Sequence, residues 1–352
     1  MRRLRVLALV LVLLAASGCW DYRDIDRRTP VLAFGVDFQE GRWTLTVAEV
    51  VPESPPEGRY ESRLHTASGP TLDEAIEAVE ARSARRLYLG EAGIAVLGRG
   101  VLRSGIDPVL RTVLTPTETS PALYVVGSAS TAKALLSAPE PSFGAAAVHL
   151  ERFTSTQQPS RGGYATTLAW QALSRRHDEG GSLFVPMFKV DGPGELEVIG
   201  TSVIGPAGKE VLSLDREETQ TLRWLLGISG WTYFALADGS RLRVESNRAS
   251  TAVDTRARPP CFRINVKLAA KLRAAHSFPL SPQRRSEIER MAERVALSRL
   301  LAVASRLRQR GADVLRLGET LRQSGMTPSL KDQLPIHISV TVQIDPEETV
   351  AV

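Results

Sequence analysis

Two hydrophobic rhythms run along this 352-residue chain. The plainer one is alternation. "FRINVKLAA" sets Phe262, Ile264, Val266 and Leu268 against Arg263, Asn265 and Lys267. "IHISVTVQI" sets Ile336, Ile338, Val340, Val342 and Ile344 against His337, Ser339, Thr341 and Gln343. A period of two sends successive side chains to opposite faces, so both stretches predict strands with one buried and one wet face. Between them, Ser281-Pro282 predicts the start of a long helix that Gly311 ends, and Asp313 can cap a shorter one. A sheet with helices covering one face follows.

Earlier in the chain the same signals recur at shorter range. "VLAFGVDFQEGRWTLTVAEVV" predicts a hairpin about Gln39-Glu40-Gly41-Arg42, with "YESRLHTAS" as a third strand. Thr71 and Glu74 form a Thr-x-x-Glu capping box, and Leu72, Ala75, Ile76 and Val79 share the helical face behind it. "AGIAVLG" and "ALYVVGSA" predict strands, "DPVLRTVL" a helix, and Ser130 a cap for "TAKALLS". Residues 138–163 are rich in Pro, Gly, Ser and Gln and predict a surface excursion holding at most a short helix. "YATTLAWQALSRR" is helical in pattern.

"LFVPMFKVDGPGELEVIGTSVIGPAGKEVLSL" predicts successive strands separated by Gly-Pro turns. Asp215 and Glu218 cap a helix whose Leu222, Leu225 and Leu226 point inward and which Gly227 stops. "WTYFALADGSRLRVES" predicts a hairpin through Asp238-Gly239. The mixture is α+β, or mixed α/β. We divide it into an N-terminal domain over 31–181, a middle domain over 182–258 and a C-terminal domain over 259–352, each a mixed sheet with helices packed on it.

The first residues follow neither rhythm. Arg2, Arg3 and Arg5 precede an unbroken apolar run from Val6 to Ala16, then Ser17, Gly18 and Cys19. A basic head, a short apolar middle and a small-residue exit are the layout of an export signal. The run is about half of the ~20 residues that a membrane-spanning helix needs. Small residues ahead of Cys19 resemble a bacterial lipobox, with Ala16 where leucine is usual. Such a site implies cleavage after Gly18 and a diacylglyceryl group on the Cys19 sulfur; two acyl chains give a stable anchor where one is marginal. The alternative for Cys19 is a disulfide with Cys261, the one other cysteine. The lipid is preferred because Cys19 adjoins the apolar run with almost no chain before a cut site. Residues 1–18 are then a leader and 19–30 a tether.

Composition changes little. The formal charge is +5, and three of the arginines lie in the leader, so the remainder is nearly balanced and argues against nucleic acid. Chemistry is sparse. No Cys-x-x-Cys, His-Glu-x-x-His, phosphate loop or Gly-x-Ser-x-Gly elbow occurs, and the histidines are scattered at positions 65, 149, 177, 276 and 337. The carboxylate pairs Glu217/Glu218 and Glu287/Glu289 lie among arginines, where solvated i,i+4 pairing explains them. Trp43, Trp170, Trp224 and Trp231, with Trp20, are taken as core residues.

"GCWDYRDID" resembles the Gly-Cys-Trp-Asp opening of the Ger(x)C family of spore germination lipoproteins. "ASGPTLDEAIEAVEARSARRLYLGEAGIAVLGRGV", "FKVDGPGELEVIGTSVIGPAGKEVLSLDREETQTLRWLLG" and the closing "IHISVTVQI" are similar to later family segments in the same order. Glu91 stands where family members often carry histidine. The resemblance implies an elongated three-domain body on the outer face of the spore inner membrane. It implies the C subunit of a nutrient germinant receptor, with an A-type and a B-type integral membrane subunit as partners. It also implies no catalysis, no cofactor beyond the lipid on Cys19, and no metal. Two other readings stay open: a solute-binding lipoprotein of a transporter, which would show two similar lobes, and a lipid-anchored cell-wall hydrolase, which would need a placed acid and base.

Overall fold

The computed structural model describes residues 28–52, 60–83, 86–114, 119–139, 145–155, 164–177, 181–192, 194–273 and 281–345. The leader, Gly18, Cys19 and Trp20 lie outside them.

Strand β1 (Arg28–Pro30) leads into the hairpin of β2 (Ala33–Gln39) and β3 (Arg42–Pro52). Glu40 and Gly41 both take positive φ, 51° and 75°, the turn whose twist matches that of the strands it joins. β4 (Tyr60–Gly69) pairs antiparallel with β3. Helix α1 (Leu72–Ser83) buries Leu72, Ala75 and Val79. Its box closes between side chains: the Glu74 amide donates to Thr71 Oγ1 at 3.2 Å, and that hydroxyl donates to the Glu74 carboxylate at 2.9 Å.

β5 (Arg86–Tyr88) pairs with β1, while β6 (Ile94–Leu97) runs parallel to β2. Helix α2 (Arg99–Ser104), then α3 (Asp107–Val109) with a π turn to Leu114, carries the chain to β7 (Tyr124–Ser128), parallel to β6. Helix α4 (Ala132–Leu136) follows, capped by Thr131, whose Oγ1 accepts from the Ala134 amide; Ser130, the expected cap, stands one place too early. Helix α5 (Ala146–Ser155) is not a surface excursion. Its Ala147 and Leu150 are fully buried beneath the sheet, because Ala145 to Leu150 is apolar enough to be drawn into the core.

β8 (Thr167–Leu168) and α6 (Ala169–His177) precede three antiparallel strands, β9 (Leu183–Asp191), β10 (Glu195–Ile204) and β11 (Glu210–Leu214). These join β2, β3, β4, β6 and β7 in one large sheet of order β11-β10-β9-β7-β6-β2-β3-β4, with β8 on β7, while β1 and β5 make a separate two-stranded ladder. The β7–β9 junction is only two residue pairs long, Gly127 with Met187 and Ser128 with Phe188.

Helix α7 (Arg216–Leu226) has the capping box Asp215–Glu218 and ends at Gly227, φ 67°. Beyond it β12 (Thr232–Ala235), β13 (Arg241–Asp254), β14 (Cys261–Arg273) and β15 (Ile336–Ile344) form a second sheet in that order. The crossover from β14 to its parallel neighbour β15 is α8 (Pro282–Gln309) and α9 (Leu317–Gln323). Ser281 caps α8 by accepting from the Arg284 amide. Asp313 caps α9 from a distance, accepting from Leu317 and Gly318 amides at 2.7 and 2.9 Å.

The expected class, a mixture of sheets with helices packed on them, is what the chain adopts. The segment 182–258 does not close a sheet of its own, however. Its first three strands extend the first sheet, and its last two open the second. The boundary at 258/259 falls in the hairpin loop of β13 and β14, which pair over Arg241–Asp254 and Cys261–Arg273; Pro259 and Pro260 are turn residues there and not a linker. Helix α7 sits where the sheets meet. Its Leu222, Trp224 and Leu225 share a core with Phe184 and Val203 of the first sheet and with Leu242 and Ile264 of the second.

Candidate functional site: a half-capped sheet edge beside a helix

Most of the charged residues that the sequence brought forward hold the body together. Glu217 pairs with Arg299 and Glu218 with Arg306, so these carboxylates tie α7 to α8 and are not solvated partners within one helix. Arg176 grips both oxygens of Asp107 at 2.8 Å and donates to the Pro206 carbonyl, joining α6, α3 and the β10–β11 turn. Among the described residues no group of three or more His, Cys, Asp or Glu could hold a metal, and no helix is long and apolar enough to cross a membrane. Cys261 is buried and has no disulfide partner among the described residues.

The tryptophans divide. Trp224 is buried, with its indole donating to Thr232 Oγ1 at 3.0 Å, and Trp43 packs on Phe38. Trp231 lies beneath the Arg243 guanidinium at 4.5 Å. Trp170, expected in a core, is 52 % exposed. Glu91 is exposed in the loop between β5 and β6.

Two buried charged groups escaped the sequence reading. Asp37 on β2 is 6 % exposed and accepts from the Ala132 and Lys133 amides of α4 at 2.7 and 3.0 Å. Burial pushes its carboxyl above the ordinary value, against the pull of those two amides. Arg223 on α7 is fully buried and donates to the Ser229 carbonyl at 2.7 Å; burial lowers its guanidinium to about 10. Only their odd positions in apolar surroundings could have marked them.

The surface with the clearest unused bonding capacity is in the second sheet. On β14 the expected alternation holds, with Phe262, Ile264, Val266 and Leu268 buried and Arg263, Asn265 and Lys267 exposed. On β15 Val342 and Ile344 are buried, whereas Ile336, Ile338 and Val340 are only half-buried. Helix α8 lies on the apolar face through Ile288, Ala292, Ala296 and Leu300, whose small members let it approach closely.

β15 is the last strand of its sheet. The Phe262 amide donates to the Pro335 carbonyl and the Asp345 amide to the Ala270 carbonyl, so odd-numbered backbone groups face β14. Even-numbered groups therefore face outward. Two of these are covered. Glu289 accepts from the Ile344 amide at 2.9 Å, and Glu293 from the Val342 amide at 3.1 Å. The match is geometric: four residues of helix advance about 6 Å, close to two residues of strand.

The next rung would be position 297 opposite Val340, and it is leucine. Leu301, a turn further on, is 46 % exposed. A groove of about 870 Å³ reaches this open stretch at Ile338 and Val340, and its helix wall includes Arg290, Arg294 and Leu297 together with Glu287 and Glu293. Arg290 and Arg294 are exposed and make no ion pair among the described residues. The groove can therefore offer backbone donors and acceptors, apolar side chains and positive charge together.

Comparison with known proteins agrees along nearly the whole chain. Residues 21–190 match a family model described as the spore germination protein N-terminal domain. Residues 199–346 match one described as spore germination B3/GerAC like, C-terminal. Spore germination protein B3 of Bacillus subtilis (strain 168) is 22 % identical over 265 residues, which span 73 % of this chain and 71 % of that protein. The crystal structure of the GerBC protein superposes on 92 % of this chain and 99 % of its own with a TM-score of 0.57, at 17 % identity. That last likeness is one of fold.

Proposed function

This chain belongs to the spore germination B3/GerAC-like family, and on that premise we propose that it is the lipid-anchored C subunit of a nutrient germinant receptor. The observation that carries the reading is order. The N-terminal and C-terminal family models match one after the other, and the first begins at residue 21, just behind the lipobox-like Ser17-Gly18-Cys19.

In this reading Gly18 is the last residue removed and Cys19 carries the diacylglyceryl group. The tether after it holds the folded body on the outer face of the spore inner membrane. A-type and B-type integral membrane subunits are its partners. Tethering raises the effective concentration of the body beside them, so each protein contact can be weak by itself. The subunit acts by contact and not by catalysis, in a receptor whose bound amino acids, sugars or nucleosides trigger germination.

Dipicolinate release from spores carrying Cys19→Ala, measured over a panel of nutrients beside wild type and a deletion, tests this. The expected result is failure with particular nutrients, the same ones for both strains, and loss of the acylated N-terminal peptide from the mass spectrum. Wild-type release from the deletion in every nutrient would refute the receptor role. An unacylated Cys19 in wild type would refute the anchor alone.

A further inference from the structure

We infer that the open half of the β15 edge, Ile336 to Val340, is a docking site for an extended partner segment bearing acidic side chains, which adds to the second sheet as a fifth strand. The inference rests on the geometry of the edge and stands independently of nutrient signalling.

An exposed edge presents a row of unpaired N–H and C=O groups, and natural sheets blunt such rows with charged side chains or cover them. Here the blunting stops halfway. Glu289 and Glu293 occupy two successive rungs and satisfy the Ile344 and Val342 amides. The third rung carries Leu297, which has no acceptor to offer Val340. An apolar side chain stands where the spacing calls for a carboxylate, and the outward groups of Ile336, Ile338 and Val340 have no partner among the described residues.

Strand addition supplies those groups with main-chain bonds, and alternate side chains of the added strand give specificity. One set would lie beside Leu297, Ile338 and Val340, which are only half-buried, the two strand residues packed in part against the core. Charge fixes the rest. Arg284 in the same groove is already paired with Asp238 and Glu287, and Glu293 is engaged by the Val342 amide, whereas Arg290 and Arg294 make no ion pair among the described residues. They project beside the end of the open stretch, where a carboxylate on the incoming segment would meet them. A basic segment would be repelled there, which selects against it.

The test uses the full-length chain in detergent micelles. The probes are two fluorescent octapeptides, one alternating Val with Glu and one alternating Val with Lys, read by anisotropy. The acidic peptide should bind about tenfold more tightly than the basic one, the combined effect of two exposed ion pairs gained or opposed. Leu297→Gln puts an acceptor on the third rung without adding charge, and it should weaken the acidic peptide about tenfold by occupying the Val340 amide. Val340→Pro deletes that amide while leaving the β14 ladder intact, since Val340 does not bond to β14, and should do the same. Arg290→Glu with Arg294→Glu should reverse the preference between the peptides. Equal binding of the two peptides, no binding of either, or wild-type binding by both Leu297→Gln and Val340→Pro would overturn the inference.

Discussion

Replacing Asp37 by alanine removes a single acceptor group from a site where two donors depend on it. Asp37 lies on β2, and the amides that it accepts belong to Ala132 and Lys133, nearly a hundred residues later. Helix α4 is five residues long and cannot sustain itself alone, so its first turn relies on Thr131 and on this carboxylate. Hydrogen bonds to a charged group contribute about 1.5–3 kcal/mol each. Burial of the carboxylate offsets part of that, as the upward shift of its pKa shows. The net loss for Asp37→Ala is therefore expected at about 2–4 kcal/mol.

Asp37→Asn keeps one acceptor but turns an NH₂ toward the second amide, and should lose at least half as much. Urea unfolding followed by circular dichroism measures this as a lower midpoint at unchanged slope. The pH dependence has a defined sign. A carboxyl whose folded pKa lies above its unfolded value of 3.8 contributes more to stability in acid and loses that contribution as pH rises through the folded pKa. The penalty of Asp37→Ala should thus be larger in acid than at neutral pH. Gly98 supplies an internal check, because a Cβ there would overlap the Asp37 carboxylate. Gly98→Ala should destabilise wild type yet cost much less in the Asp37→Ala background, a coupling that a double-mutant cycle reads directly. A penalty under about 0.5 kcal/mol at all pH values, or one that grows with pH, would refute the account, since surface substitutions without a structural role reach that size.

Other consequences can be measured on the same protein. Leu222→Ala opens a cavity in α7 where the two sheets meet, and should cost about 2–5 kcal/mol in urea unfolding, with both sheets losing stability. Asp313→Ala strips the caps from Leu317 and Gly318, and should cost about 1–3 kcal/mol, with faster amide exchange confined first to α9. Glu289→Ala with Glu293→Ala uncovers two further edge amides, and should increase self-association at high concentration by light scattering, while the melting temperature falls only slightly. In a Cys19→Ala chain the buried thiol of Cys261 should react with a disulfide reagent only after denaturant is added.

The parts of this protein legible in its sequence are those that local chemistry decides. Asp215 and Glu218 closed their box, Ser281 and Gly311 bounded α8, Glu40-Gly41 turned its hairpin, and β14 and β15 alternated as written. Each depends on residues within a few places of one another, so a short window contains the cause. Tertiary structure decided what joins what. The strands after residue 182 added to the first sheet through two residue pairs, and Asp37 found α4 across the fold. Glu289, expected in helix charge pairing, became an edge cap, and Glu293 beside it did the same. The reason lies in what the alternation encodes. A period of two states which face of a strand is apolar, because side chains point out of the sheet, but the backbone amides point within it. Whether those amides meet a neighbour, a carboxylate or open solvent depends on strand order, which no stretch of β15 contains; packing α8 against the sheet covered two of its outward amides and left those of Ile336, Ile338 and Val340 without a partner among the described residues.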